Sequence, residues 1–82
     1  MSTPVNKRPQ KHSLTLHGHR TSVSLEKEFW AAFRALAQRR HKGINELAAE
    51  IDTARGDQGL ASAIRVAVLQ DLLARAGNET SS

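Results

Sequence analysis

The sequence predicts a mainly α fold with a short β ribbon at its head: a strand, two helices in quick succession, and a third, C-terminal helix. Three observations carry this expectation. Residues 19–25, His-Arg-Thr-Ser-Val-Ser-Leu, alternate polar and apolar side chains with the strand period of two. They run into Glu26-Lys27-Glu28-Phe29-Trp30 with no glycine or proline between, and from there the apolar spacing becomes helical. Finally, 82 residues that are 39% apolar, much of it alanine, and that include no cysteine, make a thin core with no disulfide to support it. Association is the remaining source of buried area. A lone strand also leaves backbone N–H and C=O groups unpaired along its edges, and a second copy of the chain is the nearest supply of an identical partner. The expected assembly is an intertwined homodimer whose ribbon shows Arg20, Ser22 and Ser24 on one face.

Taken in order, residues 1–12 are polar, carry two prolines, and read as a disordered basic arm. The domain is expected over 13–77. Residues 13–25 alternate throughout, but Leu14 and Leu16 occupy even positions whereas Val23 and Leu25 occupy odd ones. Because a strand has period two, both pairs cannot face one core along an unbroken strand. Gly18 lies between them. Either it marks a bulge, or it turns the chain so that 13–17 folds back as a hairpin partner of 20–25.

A first helix is expected over 26–40, with Phe29, Phe33, Leu36 and Ala37 forming one stripe that Trp30 widens. Its acids lie at the start and Arg39 and Arg40 at the end, which suits the helix dipole. His41-Lys42-Gly43 breaks the pattern, and a second helix follows over 44–54 with Gly43 as its N-cap and Ile44, Leu47, Ala48 and Ile51 on its apolar face. Residues 55–59 form a loop. The third helix is expected over 60–76, stopping at Gly77, with 78–82 as a frayed tail. It carries two apolar stripes, Leu60, Ile64, Val68 and Leu72, then Val66, Leu69 and Leu73. A helix wet on one side needs one stripe, so this helix is expected to pack both on its own chain and on a partner.

The net charge is +4, and its distribution is uneven: residues 1–25 hold Lys7, Arg8, Lys11 and Arg20 and no acid, while acids and bases balance thereafter. A polyanionic partner follows from that asymmetry, against the plainer reading of a solubilising tail. No apolar run reaches the length of a membrane span, and the first residues lack the apolar core of a signal peptide, so a cytoplasmic protein with no membrane contact is expected. His12, His17 and His19 lie close together, yet no acid is near them in sequence to complete a tetrahedral set, so no metal or other cofactor is expected. Cysteine is absent, and no Ser/His/Asp order or phosphate-cradling glycine loop is present. No catalytic residue is assigned, and the protein is not read as an enzyme.

The order strand, helix, short break, helix resembles the ribbon-helix-helix superfamily to which the Arc and Met repressors belong. The stretch GHRTSVSLEKEFWAAFRALA, the second helix INELAAEID and the third helix LASAIRVAVLQDLL are similar to a branch of small bacterial members, across roughly 13–73. The resemblance implies an antiparallel ribbon, one strand from each subunit, inserted into the DNA major groove. It makes Val23 and Leu25 core and assigns base contacts to Arg20, Ser22 and Ser24. It assigns a DNA phosphate to the backbone at the start of the second helix, Gly43, Ile44 and Asn45, with Lys42 as a supporting charge. Lys7, Arg8 and Lys11 would add phosphate contacts from the arm. This chain departs from the family pattern in having short serines at 22 and 24, Glu26 in place of a common proline, His41 in place of a helix-ending glycine, and a third helix.

The function so implied is duplex DNA binding by a homodimeric bacterial transcriptional regulator, a repressor associated with the nucleoid. The alternative from another class is a protein-interaction module, or an antitoxin-like protein, that keeps the dimer fold with little DNA specificity and docks a protein partner through the third helix.

Overall fold

The computed structural model describes residues 9–80, with side chains described through Gly77. Two strands, β1 (Gln10–Leu16) and β2 (His19–Leu25), precede three helices: α1 (Lys27–Arg39), α2 (Ile44–Ala54) and α3 (Leu60–Thr80). The strands form a two-stranded antiparallel hairpin in which Leu16 lies opposite His19, Leu14 opposite Thr21, His12 opposite Val23 and Gln10 opposite Leu25.

This register accounts for the parity change at Gly18. Residues directly opposite each other share a face, so a two-residue turn places the even positions of β1 with the odd positions of β2. The turn is His17-Gly18, with φ of 52° and 81°. Two successive positive φ values match a type I′ turn, whose twist suits a hairpin. Gly18 adopts this backbone without a Cβ penalty; His17 is one of the residue types that tolerate it. The structure thus selects the hairpin over the bulge. β2 therefore has one partner strand in its own chain, because a tight turn brings β1 alongside for little loop-closure entropy. β1 begins at Gln10, which puts Lys11 and His12 in the sheet rather than in the arm. The other edge of β2 pairs with no strand among the described residues.

Leu14, Leu16, Val23 and Leu25 form the buried face of the hairpin, against Trp30, Phe33, Leu36 and Ala37 of α1, Leu47 and Ala48 of α2, and Ile64 and Val68 of α3. Trp30 holds the start of the hairpin in place. Its indole Nε1–H donates to the Gln10 carbonyl at 2.8 Å, and His12 meets its ring edge-on at 4.6 Å. His12 is accordingly a packing residue.

The first break is a Schellman motif. His41 N–H donates to the Gln38 carbonyl at 3.0 Å and Lys42 N–H to the Ala37 carbonyl at 2.9 Å, with His41 at φ 58° in the place glycine usually takes. α2 has the expected bounds and Gly43 is its N-cap. α3 runs past the expected stop at Gly77 to Thr80. Gly77 is not among the residues at positive φ, so it does not take up the left-handed backbone that ends a helix. Interior glycine costs only about 1 kcal/mol relative to alanine, too little to force termination. Of the two stripes on α3, Ile64 and Val68 are buried in the core, while Val66, Leu69 and Leu73 are exposed, as is Leu72. Among the described residues, no helix is long and apolar enough to cross a membrane.

Candidate nucleic-acid interface

The face of the hairpin turned away from the core carries Lys11, Ser13 and Thr15 from β1 and Arg20, Ser22 and Ser24 from β2, in the cross-strand pairs Lys11–Ser24, Ser13–Ser22 and Thr15–Arg20. All are exposed except Ser24, which is half-buried. Every side chain on this face can donate a hydrogen bond, two are cationic, and neither strand contains an acid. The strand alternation that buries the four apolar residues therefore also builds a continuous donor surface.

The acid nearest in sequence is neutralised. Glu26, which joins β2 to α1, accepts from Arg65 of α3: Nε at 3.0 Å and Nη2 at 2.9 Å meet Oε1, and Nη2 also meets Oε2 at 3.2 Å. A hydrogen bond from the Glu26 backbone, followed by the Arg65 guanidinium, holds this carboxyl below the usual carboxylate range. The charge beside the ribbon is thus balanced by a residue 39 positions away.

The start of α2 lies beside β1. Alternation of the antiparallel ladder turns the Thr15 N–H away from β2, and the Asn45 Oδ1 accepts it at 3.0 Å. α2 has no side-chain N-cap hydrogen bond; its first backbone bond runs from Leu47 N–H to the Gly43 carbonyl at 3.0 Å. The N–H groups of Ile44, Asn45 and Glu46 therefore precede the helical ladder, as in an anion-binding helix start. Two charges bear on this end. Lys42 is ion-paired with Glu50, and Glu46 stands in the first turn, where it opposes an incoming anion. Gly43 and Asn45 are exposed, whereas Ile44 is half-buried and packs against the core.

The expected site residues thus divide. Arg20, Ser22 and Ser24 share one face, and Gly43, Ile44 and Asn45 begin α2 beside β1, with Lys42 one residue earlier and engaged by Glu50. Lys11 belongs to the ribbon face; Lys7 and Arg8 lie outside the described residues. Sequence reasoning overlooked Ser13 and Thr15. The signal for them was the odd sum of paired positions that a two-residue turn imposes, which puts 13 and 15 with 20 and 22.

At the turn, His17 Nε2 is 3.3 Å from the Thr53 hydroxyl and 3.8 Å from Asp52 Oδ2, tying the hairpin tip to the end of α2. Asp52 also accepts from Arg55 Nε at 2.6 Å, so a guanidinium already occupies the carboxylate that folding brings to the histidines. Among the described residues no three His, Asp or Glu side chains converge as metal ligands.

A family model described as a ribbon-helix-helix domain matches residues 9–72, which takes in the hairpin, α1, α2 and most of α3. No curated protein and no solved structure matches the chain.

Proposed function

Because this chain belongs to the ribbon-helix-helix domain family, a non-enzymatic fold of DNA-binding and regulatory proteins, we propose that it binds duplex DNA sequence-specifically as a homodimeric bacterial transcriptional regulator. The observation that carries this reading is the acid-free donor face of the hairpin, set beside the open N-terminus of α2. The ribbon enters the major groove. Arg20 grips guanine O6 and N7, and Ser22 and Ser24 donate to or accept from neighbouring base edges. Backbone N–H groups at Gly43, Ile44 and Asn45 hold a flanking phosphate, supported by Lys42, while Lys7 and Arg8 reach the backbone from the arm. Occupying an operator in this way represses transcription by occlusion, in the cytoplasm and on the nucleoid.

The second copy docks on α3. Leu69 is 51% exposed and Leu73 62%, on a stripe left open among the described residues, and the family generally binds DNA as a dimer. The same stripe favours the second reading, an interaction module or antitoxin-like protein whose third helix holds a different protein.

Selection of bound sites from random duplex DNA, followed by titration of the winner at two salt concentrations, separates these readings. The regulator enriches a defined sequence and loses affinity steeply as salt rises, because its lysines and arginines displace counterions from the phosphates. No enriched sequence and no binding at low salt would sink the DNA reading and leave the interaction module.

A further inference from the structure

We infer that the groove between α1 and α3 receives the exposed leucines of α3 from a second copy of the chain, so that α1 and α3 of both copies pack together as four helices. The inference deepens the homodimer reading above by naming the surface on which the second copy sits. α3 lies outside the strand-helix-helix order that carries the resemblance. The contact also uses no residue of β2, whose other edge pairs with no strand among the described residues.

Helical spacing aligns the leucines. Val66, Leu69 and Leu73 follow intervals of three and four, so they share one face of α3. With Leu72 they are the large apolar side chains left exposed among the described residues. Ile64 and Val68, on the opposite side of the helix, are buried in the chain's own core. A contiguous apolar strip of this kind marks a contact surface, whereas single exposed leucines are ordinary.

The complementary hollow adjoins the strip. Phe29 and Ala32 of α1 and Val68 and Leu72 of α3 line a groove of about 180 Å³, with Glu28 at its mouth. The hollow exists because Ala32, one turn after Phe29, carries only a methyl group. An apolar cavity of about 150 Å³ accepts benzene, so this groove has room for a leucine side chain. Leu72 belongs both to the groove and to the exposed strip, so one continuous surface carries projection and recess together. A two-fold axis through such a surface seats each copy's leucines in the other's groove. An unrelated partner would have to match both features independently.

The flanking charges permit closure. Arg65, one turn before Leu69, is held by Glu26 and lies 5.7 Å from the Phe29 ring centroid. Asp71 is paired with Arg39 and Arg75. Covering the leucines therefore leaves neither side chain without a counter-charge.

The chain has no cysteine, so introduced thiols report the contact directly. Ala32→Cys is co-produced with a mass-tagged Leu69→Cys or Leu73→Cys chain and treated with a short thiol-specific cross-linker. Thermal unfolding verifies that each variant folds. The expected product is a mixed dimer joining position 32 of one copy to position 69 or 73 of the other. Ala32→Trp, which fills the groove, is expected to weaken dimerisation in sedimentation by about tenfold. Association of the wild type should persist at high salt, which screens exposed ion pairs and leaves apolar contacts intact. If the wild type sediments as a dimer but only like positions link to each other, or none do, the groove is not the receiving surface and the homodimer reading survives without it. If the wild type is a monomer, both fall, and the strip is left to the different protein of the second reading.

Discussion

Asn45 of α2 accepts the backbone N–H of Thr15 at 3.0 Å, so the second helix closes the outer edge of the hairpin with a side-chain amide. One residue thereby fixes the distance between the ribbon face and the helix start. Asn45→Ala removes the acceptor and is expected to cost about 0.5–1 kcal/mol in urea unfolding, at the low end because water replaces it at an exposed site. Asn45→Asp keeps an acceptor and places a negative charge in the first helical turn, so its stability should match the wild type or exceed it. Its DNA affinity should nevertheless fall, since the same charge faces the proposed phosphate. Undiminished binding by Asn45→Asp would remove the helix start from the interface.

Two residues at positive φ give opposite expectations. Gly18 at φ 81° is needed by the turn, and Gly18→Ala should destabilise the protein by about 1–2 kcal/mol. His41 at φ 58° sits where the Schellman motif favours glycine, and His41→Gly should be neutral to stabilising by up to about 1 kcal/mol, the left-handed strain outweighing the added freedom of the unfolded chain. Denaturant midpoints moving in opposite directions for these two variants would confirm both turn assignments.

The Glu26–Arg65 pair makes stability depend on pH in a defined sense. Glu26 has a lowered pKa in the folded chain, from its backbone hydrogen bond first and Arg65 second. Its contribution is therefore fully present above the ordinary carboxylate range and is lost as pH falls through the depressed folded value. Glu26→Gln should lower Tm at pH 7, and the gap between variant and wild type should narrow below the ordinary carboxylate range. A gap that stays constant from pH 7 to pH 3 would show that the pair contributes no charge-dependent stability.

Leu73 is the most exposed of the large apolar residues among those described, at 62%. In an isolated chain Leu73→Lys should leave folding within about 0.5 kcal/mol, as surface changes usually do. In the proposed homodimer it buries a charge in an apolar contact. Sedimentation should then show the variant shifted toward the monomer, with weaker DNA binding at equal chain concentration. An unchanged oligomeric state would place the dimer contact elsewhere.

The sequence by itself determined the elements and their inward faces. Alternation identified the strand, 3.6-residue spacing identified the three helices, and the bounds of α2 and the burial of Trp30, Phe33 and Leu36 follow from local pattern alone. It also held the polar set Arg20, Ser22 and Ser24, because period two separates those side chains from Val23 and Leu25 whatever the strand pairs with. The extent of α3 was misjudged because a glycine weakens a helix without obliging it to end.

Only the tertiary structure decided that β1 folds back on β2. The parity change at Gly18 was equally compatible with a bulge and a turn, and choosing between them requires the register. Folding also brought Asn45 to Thr15, Arg65 to Glu26, and Asp52 to His17, contacts that join residues 30 or more positions apart. Local periodicity reports which face of an element is buried, and it carries no information about which distant polar group arrives at the exposed one.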